Sequence, residues 1–262
     1  NVWNFDAYKA ADCSAAFFIA AKFHQGATSP ESEVNMKQEV MAERLANREY
    51  LQEHAHIWLA PATFNLNPEE DVFKKFGDMN LVAGLFEERE NQCSWKQLKY
   101  HMLEVMPGKS PTEKYNHFFD AARMNLKRAA KIFPLEKDLC KLISLVSNDS
   151  TEKDFGDGEM PIVATTKTGI MGSGIMVALA EEIKDHIGDF LILPSSIHET
   201  ILVPFRMFGT APEDASLKNE IRILTYLLKA INNEEVVPED RLSDSVMVYY
   251  NGVFQKVDEK MK

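Results

Sequence analysis

Cysteine is scarce in this sequence, and its scarcity excludes several classes of protein. The 262 residues contain three cysteines, Cys13, Cys93 and Cys140, and no two of them have the Cys-x-x-Cys spacing. A disulfide framework or a cysteine-rich zinc site needs paired cysteines, so neither is expected. The simpler interpretation is a cytoplasmic protein with reduced thiols.

Long apolar runs and a surplus of basic residues are also missing. No run approaches the roughly 20 residues that cross a bilayer, and the first residues lack the order of a signal peptide, so no membrane association is expected. The chain begins with Asn1 and not with methionine, which leaves open that it is a fragment. There are 29 Lys and Arg residues against 40 Asp and Glu, a net charge of −11.

A net negative charge of this size repels the phosphates of nucleic acids, so binding them would need a local basic patch. The densest basic group is Arg123, Lys127, Arg128 and Lys131, and on a helix its simplest interpretation is a solvated face. Nucleic acid is therefore not the expected partner. An acidic protein that mimics nucleic acid is the other interpretation that the charge leaves open.

The pattern of apolar residues changes along the chain and predicts an α+β fold. Residues 1–147 mostly have helical spacing, residues 148–159 are polar, acidic and glycine-bearing, and residues 160–262 alternate between strand and helix patterns. We therefore predict a mainly helical region, an acidic linker or long loop, and an α+β domain.

The first region is predicted to form a succession of helices. Pro68-Glu69-Glu70-Asp71 places proline and acids where a helix begins, and Ser94 is suited to cap another helix that contains Trp95. A run from His54 to Leu59 fits a strand. Further helices are expected at residues 1–26, 34–53, 112–132 and 135–146.

The last region is predicted to follow the order β-α-β-β-α-β-β, with helices on a small mixed or antiparallel sheet. Ser173 is suited to cap the first helix, and Asn251-Gly252 is the favoured pair for a type I′ hairpin turn. The strands are expected at residues 160–166, 190–193, 200–203, 245–250 and 253–257, and the helices at 173–187 and from residue 212 onward.

The densest set of reactive groups lies between two of these strands, in Ser195, Ser196, His198 and Glu199. A serine with a nearby imidazole base suits hydrolysis, and an imidazole with a carboxylate suits acid–base chemistry. Catalytic triads, however, are usually assembled from distant parts of a chain. The alternative is architectural: the serines satisfy backbone groups of a tight turn, and the histidine is a half-buried ring bonded to a carbonyl.

His54 and His56 form a His-x-His pair. On a strand both rings would lie on one face, where they can hold a metal ion if a third ligand comes from elsewhere. No second half of a metal motif is visible, so these two histidines stay candidates, and no metal or other cofactor is assigned.

Gly169, Gly172 and Gly174 lie between a predicted strand and a predicted helix. Amide groups at such a position can bind a phosphate group. The spacing matches neither the dinucleotide motif nor the P-loop motif, and the alternative is ordinary turn chemistry.

Two blocks of the last region are distinctive. One is Leu193-Pro194-Ser195-Ser196-Ile197-His198-Glu199 with the apolar strand after it, and the other is Val237-Pro238-Glu239-Asp240-Arg241-Leu242-Ser243-Asp244-Ser245-Val246 with Tyr249 or Tyr250. Together they resemble an uncharacterised family of Firmicutes proteins, domain of unknown function 5688, most clearly over residues 161–250. The resemblance implies a bacterial, phage or mobile-element origin and an intracellular location. It implies no activity, catalytic residue or cofactor.

Two functions of different classes fit these observations. The first is a non-enzymatic protein-binding or regulatory module. It is favoured because no set of residues has the combination of types that a catalytic mechanism requires, and because the chain is acidic. The second is a hydrolase-like enzyme that uses His198 with Ser195 or Ser196. A protein partner is therefore expected, and self-association is left open.

Overall fold

The N-terminal helices are short and are separated by a capping asparagine. The computed structural model of the protein describes residues 38–89, 92–135, 160–208 and 217–257. Helix α1 (Gln38–Ala46) and helix α2 (Arg48–His54) meet at Asn47, whose side chain accepts hydrogen bonds from the amides of Glu49 and Tyr50. This cap divides the predicted helix in two, because an asparagine side chain satisfies the free amides at the start of a new helix.

A four-stranded antiparallel sheet follows these helices. Its long central strand β3 pairs with β1 along one edge and with β2 and then β4 along the other. The strands are β1 (Ala55–Pro61), β2 (Phe73–Phe76), β3 (Met79–Arg89) and β4 (Gln92–Gln97).

The prediction of helices near Pro68 and Ser94 is wrong. The segment from Pro68 to Glu70 is a turn, closed by a 2.7 Å bond from the Asn67 amide to the Asp71 carboxylate. Ser94 lies within strand β4, opposite Glu87 of β3. At Ser94 pairing with β3 overrides the local helical signal, since strand preference depends mainly on cross-strand neighbours. The segment after Pro68 is instead held by a bridge between Asp71 and Lys99.

A long helix and an edge strand lead from the first sheet to the second. Helix α3 (Pro111–Ala129) begins after Ser110, whose hydroxyl accepts from the amide of Glu113. The predicted helix was expected to reach Ile132, but it ends at Ala129, and strand β5 (Ala130–Pro134) begins immediately afterwards. The chain can then pair with the second sheet.

The second sheet has six antiparallel strands in the order β10-β9-β7-β8-β6-β5. The predicted order β-α-β-β-α-β-β is confirmed, and with it the α+β fold. The elements are β6 (Ile162–Thr166), α4 (Ile175–Ala178), α5 (Ala180–Ile187), β7 (Phe190–Leu193), β8 (Glu199–Pro204), α6 (Leu217–Glu234), β9 (Met247–Tyr250) and β10 (Val253–Lys256).

Alternate residues of the central strands enter two different cores. Ile192 and Leu202 pack into the core that also contains α3 and the first sheet. Leu191 and Val203, one position along each strand, pack into the core that contains α6. The second sheet is therefore covered on both faces, as the period of two in a strand requires.

Several sequence predictions fall outside the described residues. These are the helix expected at 1–26, all but the first residue of the helix expected at 135–146, and the acidic linker at 148–159. The division of the chain at this linker stays a prediction. In the described part, β5 from before the linker pairs with β6 from after it. Among the described residues, no helix has the length and apolar character needed to cross a membrane.

Candidate functional site

The candidate residues from three separate stretches of the sequence meet around the loop between β6 and α4. Met171 is at the centre of this loop and is almost completely buried. Its backbone has φ 52° and ψ 35°, the left-handed region that a non-glycine residue rarely adopts. Neighbouring groups must hold such a conformation in place, because it costs free energy.

His56 holds one side of this loop. Its Nε2 atom lies 2.8 Å from the carbonyl oxygen of Met171, and the side chain is buried in strand β1. Burial lowers the pKa of His56 to about 4, although the bond to the carbonyl of Met171 opposes the shift. The ring is therefore neutral near pH 7, and because a carbonyl only accepts, the proton is on Nε2.

His198 holds the other side of the loop. The amide of Met171 donates to Nδ1 of His198 at 3.2 Å, and Nε2 of His198 lies 3.2 Å from a carboxylate oxygen of Asp240. Because Nδ1 accepts, the proton of the neutral ring is on Nε2, facing Asp240. Both ring nitrogens are thus engaged, one with main chain and one with a carboxylate 42 residues away in the sequence.

The two serines beside His198 are bonded to main-chain groups. The hydroxyl of Ser196 accepts from the amides of His198 and Glu199 at 3.1 and 3.2 Å. Ser195 is buried, and its carbonyl accepts from the amide of Leu242. Among the described residues, no serine hydroxyl forms a hydrogen bond with the His198 ring. Ser196 thus bonds the amides of its turn, whereas the His198 ring contacts an amide and a carboxylate and not the expected carbonyl.

Glu199 is half-buried at the start of β8, opposite Thr165 of β6. Burial raises the pKa of Glu199 to about 7, and the neighbouring His198 opposes that shift. The hydroxyl of Thr165 donates to the carbonyl of His198 at 2.8 Å and fixes the backbone between His198 and Glu199. A carboxyl group with this pKa changes charge near neutral pH. It gives a pH-dependent contribution to the stability of the polar corner, which is formed by His56, residues 169–174, residues 195–199 and Asp240.

The glycines of the loop allow backbone segments to approach closely. A Cβ atom on Gly174 would overlap the carbonyl oxygen of Ile57 in β1, and one on Gly172 would overlap the carbonyl oxygen of His198. The amide of Gly172 donates to the carbonyl of His198, and the amide of Gly169 donates to the carbonyl of Thr166. The glycines therefore join the two sheets, and these two amides already have acceptors.

Ser173 has a role different from the predicted helix cap. Its hydroxyl accepts from the amide of Leu59 in β1 at 2.9 Å, while its own amide donates to the carbonyl of Ile197. The α-helix begins only at Ile175, after a short 3-10 turn. The cap prediction is wrong because the hydroxyl is needed by a buried amide of the first sheet.

His54 is separated from His56 by the boundary between α2 and β1. Its Nδ1 atom lies 3.1 Å from the carbonyl oxygen of Phe86, and its ring lies 4.3 Å from that of Tyr50. Within the described part of the chain, no group of three or more His, Cys, Asp or Glu side chains is placed to hold a metal ion.

Two residues of this corner, Asp240 and Met171, could not be recognised from the sequence. Asp240 lies in a distinctive block, but nothing in its local pattern indicates pairing with His198. Met171 has an apolar side chain, so its residue type does not indicate a role in a polar site. A Gly-x-Gly pair at a strand-to-helix junction is a signal for close backbone approach, and it would have indicated Gly172 and Gly174 as packing positions.

A second feature is an open cleft of about 490 Å³ between α2, α3 and α5. Arg123 donates from Nε to the carbonyl of Ala178 and from its terminal nitrogen to both carboxylate oxygens of Glu182 at 3.1 Å. Lys127 reaches the same carboxylate at 3.1 Å. The basic face that the sequence assigned to solvent is therefore partly occupied by an ion-pair cluster. The cleft is lined by Arg48, Gln52, His117, Asp120, Ala121, Arg123, Met124, Lys127 and Glu182.

Comparison with known proteins gives one assignment. No curated protein and no solved structure matches the chain significantly. Residues 32–251 match a family of unknown function, DUF5688, and this range includes all of the polar corner and the cleft. Since the match extends over most of the 262 residues, the chain belongs to the DUF5688 family.

Proposed function

We propose that this protein is a non-enzymatic, intracellular binding module that recognises another protein, with the polar corner as part of its scaffold. The observation that carries the proposal is the bonding of His198, whose Nδ1 accepts from Met171 while Nε2 faces Asp240. A general base needs a ring nitrogen that can take a proton from its nucleophile. Both nitrogens of His198 are already engaged within the fold.

An aromatic face on the first sheet supports a role in recognition. Trp95 on β4 is 45% exposed, and its ring contacts those of Trp58 at 5.5 Å and Phe64 at 6.0 Å between centroids. Neighbouring rings restrict the orientation of Trp95 without covering it. Rigid, partly exposed tryptophan side chains are typical anchors of protein interfaces. With a net charge of −11, the module suits a partner whose surface is positively charged.

Site-specific photo-crosslinking tests this proposal. A photoreactive phenylalanine analogue replaces Trp95 in one variant and Tyr226 in a control, since Tyr226 is 77% exposed on α6. In native host cells we expect one discrete adduct from position 95 and none of the same mass from position 226. The same adduct from both positions, or none from position 95, would contradict a partner at the aromatic face.

The hydrolase alternative is favoured by one observation, the His198–Asp240 pair, because a carboxylate commonly orients a catalytic histidine. A fluorophosphonate probe, which labels activated serines, separates the two functions. We expect no labelling of the folded protein at Ser195 or Ser196. Labelling at either serine that is lost in His198→Ala would replace the binding proposal with a hydrolytic one.

A further inference from the structure

The cleft between α2, α3 and α5 has a local charge opposite to that of the whole chain. Three cationic side chains, Arg48, Arg123 and Lys127, line it together with two carboxylates, Asp120 and Glu182. The chain as a whole carries a net charge of −11. A concave surface with surplus positive charge concentrates its field and attracts anions.

Part of this cationic set is already fixed in position. Arg123 is anchored by its bond to the carbonyl of Ala178 at 2.7 Å and by its bonds to Glu182. Burial alone would raise the pKa of Glu182, but hydrogen bonds from its own amide, Lys127 and Arg123 outweigh burial and lower that pKa. Arg123 and Lys127 thus already hold one carboxylate group at this wall of the cleft.

The other wall has unused donors. Arg48 lines the cleft and forms no hydrogen bond or ion pair with any other described residue. Nε2 of His117 is buried beside the cleft and has no hydrogen-bond partner in the described part of the protein. A buried polar atom without a partner costs free energy. Because Nε2 has almost no accessible surface, an acceptor from a ligand would recover this cost only after the His117 ring turns towards the cleft.

We propose that this cleft binds a small organic oxyanion, with its anionic group at Arg48 and His117 and its apolar part on Ala121 and Met124. The apolar surface is present because Met124 is 49% exposed and lines the cleft with Ala121. A volume of about 490 Å³ lies in the range of small-molecule sites. Phosphate and carboxylate share the required chemistry, since each presents two or more oxygens to a guanidinium group. The proposal does not depend on the protein partner proposed above.

Titration with phenyl phosphate and with benzoate, followed by NMR of the folded protein, tests the inference. Benzyl alcohol serves as the uncharged control ligand. We expect saturable shifts of amides around the cleft with at least one anion, and none with the alcohol. A preference for phenyl phosphate identifies a phosphate monoester as the ligand class, and a preference for benzoate identifies a carboxylate.

Arg48→Ala is the decisive variant, because its exposed side chain is not needed for the fold. It should weaken binding at least about tenfold, the loss expected for one charge-assisted contact. Arg222→Ala, on the exposed side of α6, is the matched control and should bind as the wild type does. The proposal is overturned if neither anion gives saturable shifts at millimolar concentration, or if Arg48→Ala and the wild type bind equally well.

Discussion

His56 and His198 hold opposite ends of a single residue, although 142 positions separate them in the sequence. His56 bonds to the carbonyl of Met171 at 2.8 Å, and His198 accepts from the amide of Met171 at 3.2 Å. One histidine lies on the first sheet and the other immediately before β8, an interior strand of the second, so the left-handed residue between them links the two sheets.

His198→Ala should lower stability by about 1–3 kcal/mol, because the substitution leaves the amide of Met171 and the carboxylate of Asp240 without their ring partner. Thermal unfolding of the purified variant measures the loss. His101→Ala removes an exposed histidine from a short 3-10 helix and serves as the control. An unchanged melting temperature for His198→Ala would mean that the ring does not support the corner.

Gly174→Ala should lower stability more than His198→Ala does. The added methyl group would overlap the carbonyl oxygen of Ile57, and that atom belongs to a paired strand that cannot move freely. A loss of at least about 3 kcal/mol is expected, since overpacking against backbone is relieved only by shifting a strand. Denaturant unfolding should show it. Lys167→Ala, an exposed change in the same connection, is the control and should have nearly wild-type stability. If Gly174→Ala were equally stable, the two sheets would not be in close contact at this position.

Glu199→Gln should change how stability depends on pH. Burial raises the pKa of Glu199 from 4.5 to about 7, so its neutral form stabilises the fold fully below pH 4.5, and this contribution is lost as pH rises through about 7. Glutamine stays neutral throughout. The free energy of unfolding of the variant should therefore rise relative to that of the wild type across this interval, by up to about 3 kcal/mol.

Urea unfolding at several pH values measures the difference between Glu199→Gln and the wild type. Glu239→Gln alters an exposed carboxylate and should leave the shape of the pH profile unchanged. A constant difference between Glu199→Gln and the wild type from pH 4.5 to 7 would show that the carboxyl group is solvated in the folded state.

His56→Gln should reduce sensitivity to acid. Burial lowers the pKa of His56 from 6.5 to about 4. Between these two pH values His56 is therefore protonated in the unfolded chain and neutral in the folded protein. Wild-type stability is expected to fall by up to about 3 kcal/mol from this group as pH drops towards 4. Glutamine keeps a donor for the Met171 carbonyl and does not titrate. Equal acid sensitivity in both proteins would contradict a buried, neutral His56.

The second sheet could be predicted from sequence because its signals are local. Gly188 ends a helix, Pro204 ends a strand, and Asn251-Gly252 forms the hairpin turn with φ values of 51° and 79°. Each of these residues fixes a boundary through its own backbone preference. The apolar runs between them are then too short for anything except buried strands.

Much of the first sheet could not be predicted in this way. Strand β2 has the sequence Phe-Lys-Lys-Phe and strand β4 is mostly polar, and both become strands because they pair with the long strand β3. The signature at Pro68-Glu69-Glu70-Asp71 fits a turn as well as a helix start. The bridge between Asp71 and Lys99 and the bond from the Tyr100 amide to the Glu70 carbonyl hold it as a turn, and these contacts are not local.

The local bonds of the polar corner could be predicted from the sequence, but its long-range contacts could not. The bonds of Ser196 to amides of its turn could be expected, because serines beside a short connection commonly bond its amides. The contacts of His198 with Met171 and Asp240 depend on how two sheets and a distant loop pack together. No spacing within the sequence contains that arrangement.

The hydrogen bond from the Met171 amide to Nδ1 of His198 is the most direct test of the architectural role of this corner. In uniformly ¹⁵N-labelled protein, NMR can detect the scalar coupling that passes between two nitrogens across such a bond. We predict a coupling between these two atoms at neutral pH, with the ring proton on Nε2. A ring that carries its proton on Nδ1, or that exchanges between tautomers without coupling to Met171, would contradict the account.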